Sequence, residues 1–587
     1  MANHDSLRSS CGVLLAATLV AVIIVSTACS TGTTGPTDAA LDLDPFPREP
    51  VPEEFAGLDY PAHDGDLSSP RSLRGPVFLI GIDGATWDLI EPMARRGELP
   101  NFAALMAEGA HGVLESEEPT ISPALWATIA TGVPRFEHGV FNFLVKLPGS
   151  RDTVEAGPLD RRSPAIWEHV DAVGGRSAVI SWFGSFPAEP IGGYYVSKKC
   201  DPENPRPDQV HPESFAAVLR DRAHVDTRQT DLEHIGFTTY LRETLLDDAR
   251  TLATLRVALE QGVPDLVVAY FQGIDVVQHV TWGDMDPGSR AFESPGERDP
   301  RLAGVIPAFY RYIDHTLGQI RGLAPEGATL MVVSDHGGGP LRLEHAFHLQ
   351  LDVLLGILGL QTPEGGDILA VDELYLHDKR IWLNLEGIEL DGRVPVAEAS
   401  TRAHEVAERL RAVRTDRNGP LFETVEILVD RADWRPGDPA LVVRFSPAAL
   451  LTETVRDGKA EHDFTTVRMR HSDVTGEHRR DGIFLLHGPD IRPGRLADPA
   501  NIYHIAPTVL YLLGLPQDGR MLRWAPANGG VLQAVIGPTV LASMPIRAVA
   551  DYSGTDRSHI ARRHEELPVD PARVEALERL RSLGYIR

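Results

Sequence analysis

Four short stretches of the chain end in side chains that can bind cations or attack an electrophile. "FLIGIDG" delivers Asp83 after an apolar run, "VVAYFQGIDVVQH" delivers Asp275 and then His279 four residues on, and "MVVSDHGGG" delivers Asp335 and His336. Taken singly, an aspartate after a strand is often a helix cap, and an Asp–His pair at i,i+4 can be a solvated helical pair. Together they ask for more. Three carboxylates at one rim repel one another by several kcal/mol at an effective dielectric of about 20 unless cations lie between them. Carboxylate and imidazole donors in combination suit zinc or manganese better than magnesium or calcium. The fourth stretch, "EPTISPALWATIATG", places the hydroxyls of Thr120 and Ser122 just before a helix marked by Pro123 at its first turn. A hydroxyl at that position can be an N-cap only, or it can be deprotonated by a nearby metal while the helix dipole favours an incoming anion.

Such residues act together only if the fold brings them together. "PVFLIGI", "SAVISWF", "DLVVAYF" and "TLMVVS" are continuous apolar runs, as expected of parallel strands buried on both faces. Amphipathic stretches such as "IPAFYRYIDHTLGQIRGL" separate some of them. The alternation predicts an α/β fold with a mainly parallel central sheet flanked by helices. In open α/β sheets ligands bind beyond the carboxyl ends of the strands, where Asp83, Asp275 and Asp335 fall. The pattern loosens over residues 345–470, where "RIWLNLEG" and "ALVVRF" read as strands around the helix "AEASTRAHEVAERLRAVR". That segment is expected to be an α+β insertion or cap, with the core formed by 75–344 and 471–525 and a C-terminal extension over 526–587.

With 83 acidic against 56 basic residues the formal charge is −27. This argues against a nucleic-acid surface, which needs clustered Lys and Arg, but not against anionic substrates, because bound divalent ions invert the local field. The three cysteines are Cys11, Cys29 and Cys200. "GVLLAATLVAVIIVSTAC" has secretory-signal length and a small-residue end. It resembles a bacterial lipoprotein signal over 1–29, with Cys29 as the lipidated residue; an ordinary cleaved signal or a short retained anchor are the other readings. The Ser/Thr/Gly/Pro-rich stretch at 30–74 is expected to be a disordered linker. The expectation is therefore an exported protein, lipid-anchored to a bacterial membrane on the cell-envelope side. Removal of the signal leaves only Cys200 besides the lipidated cysteine, so an internal disulfide or a thiolate metal cluster is not expected.

"IGIDG", "PTISPALWATIATG" followed by "HGVFNF", "GIDVVQH", "SDHG" and "GEHRRDGIFLLHGPDI" occur in the order found in the alkaline phosphatase superfamily. The chain most resembles the type I phosphodiesterase/nucleotide pyrophosphatase branch, over roughly Gly75 to Trp524. Each motif alone is weak, and the ordered set is specific. The resemblance implies an alkaline phosphatase-like core and two divalent metal ions, zinc first and manganese second. One would be held by Asp83, Ser122, Asp335 and His336, the other by Asp275, His279 and His478. It implies Ser122 as the nucleophile, forming a phosphoseryl intermediate, with Thr120 as the alternative. The branch often has threonine there. Asn142 resembles the asparagine that donates to a phosphoryl oxygen. The implied substrate is a small phosphate ester. A phosphomonoesterase or a phospho-head-group transferase would use the same metals, and a non-catalytic metal-binding surface lipoprotein is the rival from another class. A sulfatase fits poorly, since it needs Pro at +2 and Arg at +4 from the nucleophile, whereas here Pro123 stands at +1 from Ser122 and Trp126 at +4.

Overall fold

The strand Val77–Ile82 (β1) is buried at every position, and its side chains divide between two cores. Val77 and Leu79 enter one apolar cluster, while Phe78, Ile80 and Ile82 enter a second on the opposite face of the sheet. A continuous apolar run is what a strand covered on both faces requires. In this computed structural model, residues 73–550 and 552 are described, apart from 147–152, 199, 226–238, 287–299, 343–346, 362–365, 367, 371–377, 390–391, 432–433, 435, 437–438, 471–473 and 525–529. The apolar run ending at Cys29, the stretch up to residue 72 and the end of the C-terminal extension from residue 553 lie outside the described residues.

The central sheet has ten strands. Besides β1 they are Ala110–Glu115 (β2), Ser177–Ile180 (β3), Gly193–Val196 (β4), Val210–His211 (β5), Leu266–Phe271 (β6), Thr329–Val333 (β7), Asp481–His487 (β8), Gly494–Arg495 (β9) and Ala500–Asn501 (β10). The order is β9-β2-β8-β7-β1-β6-β3-β4-β5, with β10 also on β2. The run from β7 to β4 is parallel, whereas β8 is antiparallel to both neighbours and β5 to β4. The fold is α/β, mostly parallel at its centre and flanked by helices.

What matters for the site is the middle of this order. β7, β1 and β6 are adjacent, with Gly81 opposite both Val333 and Tyr270. Their carboxyl ends therefore open side by side, one sheet spacing apart. The helix Ser122–Thr131 (α1) crosses near the tip of β1 and is buried at all but one position, as a helix apolar on every side must be. Gly81 makes room for it: a Cβ there would stand 2.7 Å from the Trp126 ring.

The region 345–470 carries its own apolar cluster, drawn from residues between Leu349 and Val467. The strands Ile368–Ala370, Asp378–Leu383, Leu441–Phe445 and Phe422–Ile427 form an antiparallel four-stranded sheet. The helix Ala399–Ala412 contributes Ala403, Val406, Ala407 and Leu410 to the same cluster. Among the described residues no helix is long and apolar enough to cross a membrane.

Candidate metal centre

Each site residue leaves a rigid element within a residue or a turn of its end. Asp83 follows β1 and Asp335–His336 follow β7. Asp275 and His279 lie one turn apart on the helix Gly273–Met285 (α2), which begins two residues after β6. Ser122 is the first residue of α1, after Ile121 as a cap that makes no side-chain hydrogen bond. The last contributor comes from far along the chain. A two-stranded ribbon pairs Gly337–Pro340 with Gly476–Arg479, and its register sets His478 opposite Gly338. The imidazoles of His336 and His478 consequently stack, with centroids 3.6 Å apart and planes within 22°.

The donors form two groups that touch. Asp83, Asp335 and His336 each present an atom within 4.8 Å of the others, and so do Asp275, His336 and His478. His336 Nε2 lies 3.3 Å from Asp83 Oδ1, 3.5 Å from Asp335 Oδ2 and 3.2 Å from the Ser122 hydroxyl. Asp275 Oδ1 is 3.4 Å from both His279 Nε2 and His478 Nε2. All seven residues proposed from the sequence as cation ligands thus meet in one buried cluster.

Asn142 is not joined to that cluster by any hydrogen bond among the described residues. Its Oδ1 accepts the Phe143 N–H at 2.8 Å, which leaves its NH2 group to donate elsewhere. Thr120 meets the cluster through its backbone, since its carbonyl accepts from His478 Nδ1 at 2.7 Å.

The imidazoles are oriented alike. Nδ1 of His279 faces the Gly476 carbonyl at 3.0 Å, Nδ1 of His336 faces the Gly337 carbonyl at 3.0 Å, and Nδ1 of His478 faces Thr120. A carbonyl can only accept, so each Nδ1 carries the proton and each Nε2 turns its lone pair inward, the arrangement of a metal-binding histidine. His279 Nε2 and His478 Nε2 are 2.9 Å apart. Two lone pairs cannot face each other at that distance without a proton or a metal cation between them.

The carboxylates show the same need. Asp83 Oδ1 and both oxygens of Asp335 are buried without a hydrogen-bond partner, a rare condition in a folded protein and one an ion resolves. Burial, then the charge of Asp275, lifts the Asp83 carboxyl to about 6. Burial and the neighbouring Asp83 push Asp335 well above the carboxylate range. Asp275 goes the other way: burial opposes ionisation, but His279 and His478 together hold it well below its ordinary value. Burial and the nearby His478 keep His336 neutral. His478 is raised despite its burial because Asp275 faces it. The donor set, the tautomers and the orphaned oxygens all fit divalent cations.

Two residues of this site escape a reading of motifs. Tyr270, the penultimate residue of β6, donates its hydroxyl to Asp83 Oδ2, and the Trp126 indole N–H donates to the same oxygen at 3.2 Å. Both are apolar by type and read as core. Only the adjacency of β1 and β6 and the path of α1 reveal their polar ends. Arg135, the cation nearest Ser122 in sequence, is engaged by the loop before Ser122. It donates to the Pro119 carbonyl at 2.9 Å and lies 3.4 Å from Glu117.

Residues 77–470 match the sequence model of the type I phosphodiesterase/nucleotide pyrophosphatase family. No curated protein matches the chain. Among solved structures, murine ectonucleotide pyrophosphatase/phosphodiesterase 5, an inactive variant in complex with AMP, is 16% identical, with a TM-score of 0.44 over 75% of this chain and 96% of its own. The human protein of that name is 15% identical, with a TM-score of 0.45 over 75% and 95%. Phosphonoacetate hydrolase from Sinorhizobium meliloti, in complex with phosphonoacetate, is 17% identical, with a TM-score of 0.42 over 75% and 96%. The family match runs from the first residue of β1 into the segment before His478 and takes in the carboxylates, two of the histidines and the serine. The chain therefore belongs to the type I phosphodiesterase/nucleotide pyrophosphatase family, phosphoric ester hydrolases of the alkaline phosphatase superfamily.

Proposed function

We propose that the chain hydrolyses a small phosphate diester through a phosphoseryl intermediate on Ser122, at a centre holding two divalent cations. The observation that carries this reading is the Ser122 hydroxyl 3.2 Å from His336 Nε2, at the edge of a buried donor cluster with orphaned carboxylate oxygens. Asp83, Asp335, His336 and Ser122 would hold one cation, and Asp275, His279 and His478 the other. Bound there, the cations lower the pKa of the attacking hydroxyl and neutralise charge on the leaving oxygen. Zinc suits the mixed carboxylate and imidazole donors, with manganese next.

Ser122 Oγ gives up its proton to solvent and attacks phosphorus in line; its bond to phosphorus forms, and the ester oxygen leaves with the electron pair of the broken bond and takes a proton from water. Water then cleaves the phosphoseryl bond and restores the hydroxyl. Thr120 is the weaker candidate, because its carbonyl orients His478. Asn142, with its Oδ1 already accepting from Phe143, is suited to donate its NH2 group to a phosphoryl oxygen. Attachment through lipid on Cys29 and a cap over residues 345–470 remain part of this proposal.

The purified protein supplied with zinc should release p-nitrophenol from bis-p-nitrophenyl phosphate and lose that activity in EDTA. Preference for p-nitrophenyl phosphate would indicate a monoesterase. Inertness to both esters would favour the metal-binding scaffold.

Binding a cation must also displace the proton that Asp83 retains up to about 6. Mn2+ affinity is therefore expected to rise with pH between about 5 and 8, steepest near the Asp83 value, because ligands bind deprotonated. Calorimetric titration at a series of pH values measures this. A flat profile would detach Asp83 from cation binding.

A further inference from the structure

We propose that Gln278 is a positioning residue that sets the spacing between the two cation-binding groups. This rests on the two-cation reading above. Gln278 is buried on α2, three residues after Asp275 and one before His279. A polar side chain inside a protein is costly unless its hydrogen bonds are met, and here they reach the other group. Its Nε2 donates to the Gly84 carbonyl at 2.7 Å, next to Asp83. Its Oε1 accepts from the Tyr310 hydroxyl at 3.2 Å, and that hydroxyl accepts the Thr86 N–H at 3.1 Å. The amide thus ties α2, bearer of Asp275 and His279, to both ends of the turn from Gly84 to Thr86 that follows Asp83.

Two glycines make room for Gln278 itself, and a third lets Asp275 of the same helix approach. Gly84, with φ of +68°, faces Asp275, and a Cβ on it would stand 2.9 Å from the Asp275 Cβ. A Cβ on Gly338, two residues past His336, would overlap the Gln278 amide, and one on Gly476, two before His478, would overlap the Gln278 carbonyl. The loops carrying Asp83, His336 and His478 all close on this one residue. A wedge with fixed hydrogen bonds resists both approach and separation of the groups.

The test compares wild type with Gln278→Met, which keeps the length and removes the amide, and with Tyr310→Phe, which removes one hydroxyl. Each is loaded with Mn2+ alone. Elemental analysis counts the ions, titration gives stepwise affinities, and electron paramagnetic resonance reads the spin coupling of the pair, which depends on its spacing. Wild type should bind two Mn2+ with a coupled spectrum. Gln278→Met should weaken the second equivalent about 10- to 100-fold, the usual effect of losing an outer-shell partner, and alter the coupling at saturation with little change in melting temperature. Tyr310→Phe should move both in the same direction by less, and it decides the matter if Gln278→Met does not fold. Wild-type stoichiometry, affinity and coupling in the folded variants would overturn the inference and leave the two-cation reading intact. A wild type that binds fewer than two Mn2+ would overturn both.

Discussion

Ser122→Ala is expected to reduce phosphodiester turnover by about 10^3-fold or more, while cation content stays near the wild-type level. The hydroxyl is a single atom at the first turn of α1, with Pro123 after it and a buried helix behind. Removing it leaves the backbone, the helix N-terminus and the carboxylates where they are. Six of the seven proposed donors remain, so the cations would keep most of their ligands, and what is lost is the atom proposed to bond to phosphorus. The loss should fall on kcat, because in the proposed mechanism substrate would still meet the cations and Asn142. Ser122→Thr tests the same point in reverse: it restores a hydroxyl and should recover part of the rate. Steady-state kinetics together with elemental analysis decide the outcome. Normal turnover by Ser122→Ala would move the nucleophile elsewhere, with Thr120 first in line.

Asp335→Asn should act in two opposed ways. Neither oxygen of Asp335 has a hydrogen-bond partner, and the residue is fully buried. Burial and Asp83 hold its carboxyl well above the usual range, so in the metal-free protein at neutral pH its ionisation costs stability. A group whose folded pKa is raised in this way binds more protons folded than unfolded, and stability falls as pH rises past the ordinary carboxylate value. An amide of the same shape carries no such charge. The metal-free variant should therefore be more stable than metal-free wild type by about 1–3 kcal/mol near neutrality, with the difference vanishing in acid. Activity should move the other way, falling about 10^3-fold as one cation equivalent is lost. Denaturant titration of the EDTA-treated proteins at two pH values, set beside metal content, measures both signs. A metal-free variant less stable than wild type would mean that Asp335 serves packing and not a cation.

The opposition explains why such a cluster persists. Carboxylates pressed together in a dry interior destabilise the empty protein, and divalent cations offset that cost on binding. Asp275 shows the contrast. Flanked by His279 and His478, it is ionised already, so the two donor groups differ in what they require before a cation enters. The group around Asp83 and Asp335 must shed protons. In the group around Asp275 the carboxylate faces two imidazoles, and Asp275 raises the pKa of His478.

Much of this was legible in residue order. Uninterrupted apolar runs ending in Asp83 and Asp335 read as strands buried on both faces, which places their polar ends at the sheet rim. The Asp275–His279 interval placed both side chains on one helical face, and Pro123 marked the start of the helix that begins with Ser122. Local rules suffice there, because strand and helix periods fix which side chains share a face. His478 was reachable only through resemblance, since nothing in "TGEHRRDG" says that a ribbon will register it opposite Gly338 and stack it on His336. Tyr270 and Trp126 gave no sign of their hydrogen bonds to Asp83, because an aromatic residue in an apolar run looks the same whether its polar end is satisfied or not. Sequence by itself determined the α/β class, the strand tips and the donor types. The adjacency of β7, β1 and β6, the inward turn of three imidazoles and the wedge at Gln278 were decided by tertiary structure alone, because strand order and long-range register arise from packing between segments that carry no local record of one another.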